Sequence, residues 1–170
     1  NLVEDGLPGI ALTFEKGEKD VMKRKPEGKR IALLTAPMKI IIFAIGVLTD
    51  LMLLLIFVFL HSFSNYSVEY IRTIMFVGLA INSLLYVFSC KALHRNIWRY
   101  NPFSNHYLTG SVGIAFLLLL APLYIPFLQT LFKTVPLSKQ DWIMLFSFAF
   151  LNVFLIEAGK LFFIKKSDTK

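Results

Sequence analysis

One cysteine, Cys90, and three histidines in 170 residues are few ligands for a zinc or iron–sulfur site. A lone cysteine excludes an intrachain disulfide, and its place at the end of an apolar block suits a buried, inert thiol. His94 and His106 are not at metal-ligand spacing and read as interfacial residues. There is no glycine-rich phosphate loop, no HExxH pair and no nucleophile elbow, so no motif here binds ATP or performs hydrolysis. Charge is scarce as well, at 17 % of residues, against about 25 % in soluble domains. The opening residues do not read as a cationic secretory leader, so none is expected, and the first residue is Asn rather than Met. Processing, or a piece of something longer, is the expectation.

What the chain does have is apolar bulk. Hydrophobic residues make up 56 % of it, and Phe alone occurs 17 times. Mean hydropathy is +0.63. The apolar residues lie in long blocks with few charges, the mark of a membrane protein. The net charge of +7 sits between those blocks rather than on one face with interleaved aromatics. It therefore reads as topology charge beside lipid headgroups, and nucleic acid is not an expected partner.

The blocks predict an all-α polytopic membrane helical bundle. Four full transmembrane helices are expected at 40–60, 71–90, 108–132 and 142–164, so that 40–164 is a four-helix region. A partial helix over 1–14 precedes them, too short to cross a hydrocarbon core of about 30 Å. Gly6 and Pro8 should unwind it. Between lies a charged loop, 15–39, in which Pro26 and Gly28 argue against a continuous helix. It is read either as a solvated loop or as a docking surface for a soluble domain. Pro122 and Pro126 should kink the third span, and a polar basic tail, 165–170, closes the chain.

Lys and Arg in the links give the orientation. The loop 15–39 holds eight of them, link 61–70 none, link 91–107 three, link 133–141 two and the tail three. By the positive-inside rule the loop, link 91–107 and the C-terminus are cytoplasmic. An integral multi-pass protein of the cell membrane is expected. The same alternation places Asn1 to Asp5 at membrane depth.

Ionisable and polar residues at that depth are functional candidates. On a helix, Asn1, Glu4 and Asp5 stand at i, i+3 and i+4 and share a face. Oxygen ligands beside a breakable backbone suit a hard cation. Two adjacent carboxylates repel unless a cation or a proton intervenes, so a site alternating between the two follows. Asp50 lies mid-span, where a charge costs about 2.5–3.5 kcal/mol on insertion scales. It is either a protonated group bonded to a neighbouring helix or part of an ion path. Asn82 and Ser83 are either interhelical glue or site residues. Glu157 and Lys160, at i,i+3, can neutralise each other.

The run Asn1-Leu2-Val3-Glu4-Asp5-Gly6-Leu7-Pro8, then Ala11-Leu12, Glu15, Glu18, Asp20-Val21-Met22 and Arg24-x-Pro26, resembles the type II P-type cation ATPases, the calcium-pump and sodium/potassium-pump relatives. It is similar to the second half of their sixth transmembrane helix and the cytoplasmic loop that follows. Phe103-Ser104-Asn105-x-x-Leu108, the Trp142 entry to the last span and Glu157-x-x-Lys160 are similar to their C-terminal region. The resemblance implies that the four spans are helices seven to ten. It implies that Asn1 and Asp5 coordinate the transported cation (Ca, or Mn, Na, K or H). Glu4 falls where calcium pumps carry a threonine ligand. Ser83, or Asn82 beside it, falls where they carry an eighth-helix glutamate, for which Glu4 would substitute. The loop 15–39 would touch the phosphorylation domain. ATP and Mg would be bound by domains upstream, with no cofactor in this chain. Partners are then the cation, the bilayer and the remainder of the pump. Two other readings stay open: a stand-alone non-enzymatic or pump-associated regulatory membrane protein, and a small passive channel or carrier.

Overall fold

A computed structural model describes residues 2–15, 39, 42–43, 46–91 and 97–167, and among these every regular element is helical. In chain order they are α1 (Leu2–Leu12), α2 (Gly46–Phe63), α3 (Val68–Cys90), α4 (His106–Tyr124), α5 (Pro126–Phe132) and α6 (Lys139–Ser167). Short 3-10 turns at Ile97–Arg99 and Pro102–Ser104 shape the link before α4. Four helices (α2, α3, α4 and α6 as far as Leu161) are long and apolar enough to cross a membrane. The loop 15–39 lies outside the described residues except for Glu15 and Lys39.

The helix starts are written locally. Ser67 caps α3 by accepting from the Tyr70 amide at 3.3 Å, and Asn105 caps α4 by accepting from Leu108 at 3.1 Å. Before α6, Ser138 and Asp141 bond reciprocally: the Ser138 amide reaches Asp141 Oδ2 at 2.9 Å, and the Asp141 amide reaches Ser138 Oγ at 3.3 Å. Such a capping box satisfies donors that a helix start leaves open.

Two elements depart from expectation. Unwinding was expected at Gly6 and Pro8, yet Leu2–Leu12 is continuous α-helix with Pro8 inside it. Proline removes one amide donor, a loss a membrane helix tolerates when neighbours pack on it, and α1 lies against both α3 and α4. The span 108–132 is not one kinked helix but two, separated at Ile125. Pro126 has no N–H for the Pro122 carbonyl, and its ring clashes with the preceding turn. The Thr134 hydroxyl takes over the Pro122 carbonyl, and Gln129 Nε2 takes the Leu123 carbonyl at 2.5 Å.

α3 is the centre of the bundle. It packs along α6, and α1, α2 and α4 also touch it. Tyr70 meets Asp141, Asn82 meets Asn152 and Ser89 meets Lys160, so α3 and α6 run parallel. The core between them collects Ile74, Val77, Ile81, Leu145 and Ala149, with Leu119 and Leu123 from α4 and Leu60 from α2. Gly78 permits the closest approach: a Cβ there would lie 3.1 Å from Leu145 Cδ2 and 3.6 Å from Leu53 Cδ2. α2 buries only the stripe Thr49, Leu53 and Leu60. A smaller cluster of Ala11, Phe88 and Leu108 ties α1 to α3 and α4.

Candidate cation site

α1 and α3 run side by side in the same direction, and their contact brings Asp5 opposite Ser83. The Ser83 hydroxyl donates to Asp5 Oδ1 across 78 positions of sequence. Beside the pair is a cleft of about 340 Å³, lined by Asp5, Pro8, Gly9, Leu12, Ser83, Tyr86, Val87 and Cys90. Ser83, Tyr86 and Cys90 stand at i, i+3 and i+7 and so share the face of α3 turned to α1. Asp5 remains exposed to the cleft, which leaves its second carboxylate oxygen open to a ligand. A carboxylate and a hydroxyl are hard donors, suited to an oxygen-seeking cation, but Ca²⁺ takes about six to eight oxygens. Among the described residues no three His, Cys, Asp or Glu side chains converge.

The other sequence candidates fall elsewhere. Asn1 lies outside the described residues, and of Glu4 only the backbone, inside α1, is described. Asn82 points away from the cleft: its Oδ1 accepts from Asn152 Nδ2 at 2.6 Å, and Asn152 Oδ1 accepts from the Thr49 hydroxyl at 2.7 Å. This polar ladder joins α2, α3 and α6. Asp50 is exposed on α2 and lines a separate groove between α2 and α3, with Leu53, Phe57, His61, Arg72 and Leu79.

At the C-terminal ends of α1 and α3, buried charge accumulates. The Lys91 side chain is only 3 % exposed, and its ammonium lies 3.3 Å from Glu15 Oε1. It also donates to Ser104 Oγ at 2.6 Å and to the Asn101 and Pro102 carbonyls, each at 3.3 Å. Asn105 donates to the Ala11 carbonyl at 3.2 Å and to Glu15 Oε2 at 3.0 Å. Nearby, Lys160 and Glu157 form a second pair at 2.8 Å, with side chains 1 % and 2 % exposed. Lys160 donates to the Ser89 carbonyl at 2.5 Å, and Glu157 Oε2 accepts from the Ile97 amide at 2.8 Å. Tyr100 sits between the two pairs and donates to the Phe88 carbonyl at 2.7 Å. Burial first, and then the Glu157 carboxylate, push its phenol well above the ordinary value, so it stays a neutral donor.

Four helices long and apolar enough to span, an oxygen pair between α1 and α3 and paired charge at one end make up the region. The family model "Cation transporting ATPase, C-terminus" matches residues 1–162. The chain belongs to the cation-transporting P-type ATPases.

Within that family the chain is 34 % identical over 166 residues to a calcium-transporting ATPase of Bacillus subtilis (strain 168), covering 98 % of this chain and 18 % of the relative. It is 27 % identical over 157 residues to calcium-transporting ATPase 1 of Bacillus cereus, covering 84 % and 18 %. Against calcium-transporting ATPase 3, endoplasmic reticulum-type, of Arabidopsis thaliana it is 29 % identical over 169 residues, covering 84 % and 17 %. The chain thus spans about 18 % of the length of the curated relatives it matches.

Two features of this ATPase region escape a reading of the sequence. Lys91 reads as one more link cation, and nothing local says that it is buried, because its partner Glu15 is far off in the chain. Asn152 reads as an isolated polar residue in the last span. Its position mid-helix is a signal of interhelical bonding, but not of which helices it joins.

Proposed function

We propose that this chain supplies part of the intramembrane cation-binding site and translocation path of a P-type pump, and that the cation is calcium. The observation that carries the reading is the Asp5–Ser83 contact between α1 and α3, which puts two oxygen donors together beside a cleft. The names of the calcium-transporting relatives support the choice of ion. In the empty site the Ser83 hydroxyl holds the carboxylate. On binding, the hydroxyl turns its lone pair to the cation and Asp5 gives up that hydrogen bond for the ion. Asn1, four residues before Asp5 in sequence, and Glu4, the immediate neighbour of Asp5, complete this half of the site, and the remaining ligands come from helices upstream. ATP and Mg are handled by upstream domains reached through the loop 15–39. The pump is an integral protein of the cell membrane with loop and C-terminus on the cytoplasmic side, as the Lys and Arg distribution favours.

The test uses the intact pump. ATPase stimulation by calcium, manganese, magnesium, sodium and potassium is measured for the parent, Glu4→Gln and Asp5→Asn. Calcium should stimulate the parent, and Asp5→Asn should abolish the stimulation. Unchanged stimulation in Asp5→Asn would refute the site assignment.

A further inference from the structure

We propose that Lys91 and Asn105 are positioning residues for the Asp5 site: they fix the far end of α1 and thereby set Asp5 opposite Ser83. The proposal rests on the cation-site reading above. Three observations carry it.

First, the grip is on α1 itself. After Leu12 the chain leaves the helix through i→i+3 bonds from Thr13, Phe14 and Glu15, at 3.0, 3.2 and 3.0 Å. This last turn is where Asn105 and Lys91 take hold. Asn105, 6 % exposed, donates to the Ala11 carbonyl and to Glu15 while its own Oδ1 caps α4. Lys91 closes the other side of Glu15 from the end of α3.

Second, the grip is anchored. Lys91 is tied to Asn101, Pro102 and Ser104 of the link as well as to Glu15, and it lies 5.7 Å from the Tyr100 ring centroid. A buried ammonium with this many acceptors has one preferred location. Glu15, Lys91 and Asn105 therefore form a joint of α1, α3 and α4.

Third, the joint and the site share the same two helices. Asp5 and Ala11 are six residues apart on α1, roughly 9 Å along a helix. Ser83 and Lys91 are eight apart on α3, roughly 12 Å. Two parallel helices pinned at one end hold their register at the other, since Leu2–Leu12 is continuous helix even through Pro8 and close-packed contacts transmit strain. Releasing the joint lets α1 slide or turn against α3, and Asp5 loses its setting without any change in the ligand set.

The experiment is calcium activation of the intact pump with Lys91→Met, Lys91→Arg, Asn105→Asp and Lys139→Met. Asn105→Asp keeps the cap on Leu108, loses both amide donations and sets a second carboxylate against Glu15, and it serves should Lys91→Met fold poorly. Lys139 is an exposed cation at the start of α6 and is the control. A misplacement of about 1 Å caused by a change far from a site can cost up to about 100-fold. Lys91→Met and Asn105→Asp should raise the half-activating calcium concentration by about tenfold with maximal rate nearly kept, a KM effect rather than a kcat effect. Lys91→Arg should recover most of the loss, and Lys139→Met should shift nothing. In a Ser83→Ala background the Lys91→Met effect should shrink, because both act through the same contact. A fall in maximal rate at unchanged half-activation, or full additivity with Ser83→Ala, overturns the proposal. Unchanged half-activation in Lys91→Met and Asn105→Asp, beside abolished stimulation in Asp5→Asn, removes the positioning role and leaves the site standing. Persistent stimulation in Asp5→Asn removes both.

Discussion

Lys160→Met should destabilise the region severely, and a second substitution should undo most of the damage. The Lys160 ammonium lies 2.8 Å from Glu157 Oε1 and 2.5 Å from the Ser89 carbonyl, with both side chains almost fully enclosed. Removing the ammonium deprives a buried carboxylate of an opposite charge 2.8 Å away, and breaking a buried pair costs about 3–5 kcal/mol. Methionine fits the space of the lysine stem, so little of that loss would come from packing. Replacing the whole pair removes the buried charge, and such replacements are often neutral or stabilising by about 1–4 kcal/mol. Gln at 157 still offers an oxygen to the Ile97 amide, now held at 2.8 Å by Glu157. Glu157→Gln/Lys160→Met should therefore be milder than Lys160→Met alone by at least about 2 kcal/mol. Equilibrium unfolding in mixed micelles, following helix content against the mole fraction of denaturing detergent, reads both values. A Lys160→Met loss below about 1 kcal/mol, the size of a surface pair, would show that the pair is not buried. With Glu157→Gln measured as well, a double variant as damaged as the sum of the two singles would show that the two charges do not interact.

Two further outcomes follow from the bundle. Asn152→Leu removes both rungs of the ladder to Thr49 and Asn82, and at about 0.6 kcal/mol per interhelical bond in membranes, up to about 1.7, the same unfolding assay should register a loss of about 1–3 kcal/mol. Gly78→Val places branched carbons where a single Cβ already meets Leu145 at 3.1 Å. Overpacking of this kind costs about 1–3 kcal/mol, and a cysteine cross-link between α3 and α6 should form more slowly in that variant than in the parent.

The spans were legible because a bilayer imposes one simple rule, about twenty apolar residues per crossing, and the chain obeys it four times. The break near Ile125 was legible in part: Pro122 and Pro126 announced a disturbance, but whether it would be a bend or a full stop depended on Gln129 and Thr134 reaching back. Asp5 was a candidate from its neighbours in sequence, and Ser83 first as half of a polar pair in a span and then from a family resemblance. Their meeting is a long-range contact that no local pattern contains. Asn82 shows the opposite difficulty. It sits one residue from Ser83, yet a helix turns about 100° per residue, and that turn sends it to Asn152 instead of the cleft. Pro8 misled, since a proline that breaks a helix in water can be carried when flanking helices hold it.

The corner at Ile125 has a bearing on the order in which the region assembles. Its replacement bonds are all local: Gln129 to Leu123 spans six residues and Thr134 to Pro122 spans twelve. The ladder from Thr49 to Asn152 spans 103. Contacts between residues close in sequence cost little chain entropy to close and form early, whereas distant ones wait. The corner needs no other helix and can set as soon as residue 134 has been synthesised. The ladder must wait for α6, the last of these helices to emerge. During synthesis the elbow of α4 and α5 is thus a finished part before the bundle that it joins exists, and the polar rungs between α2, α3 and α6 are the closing step.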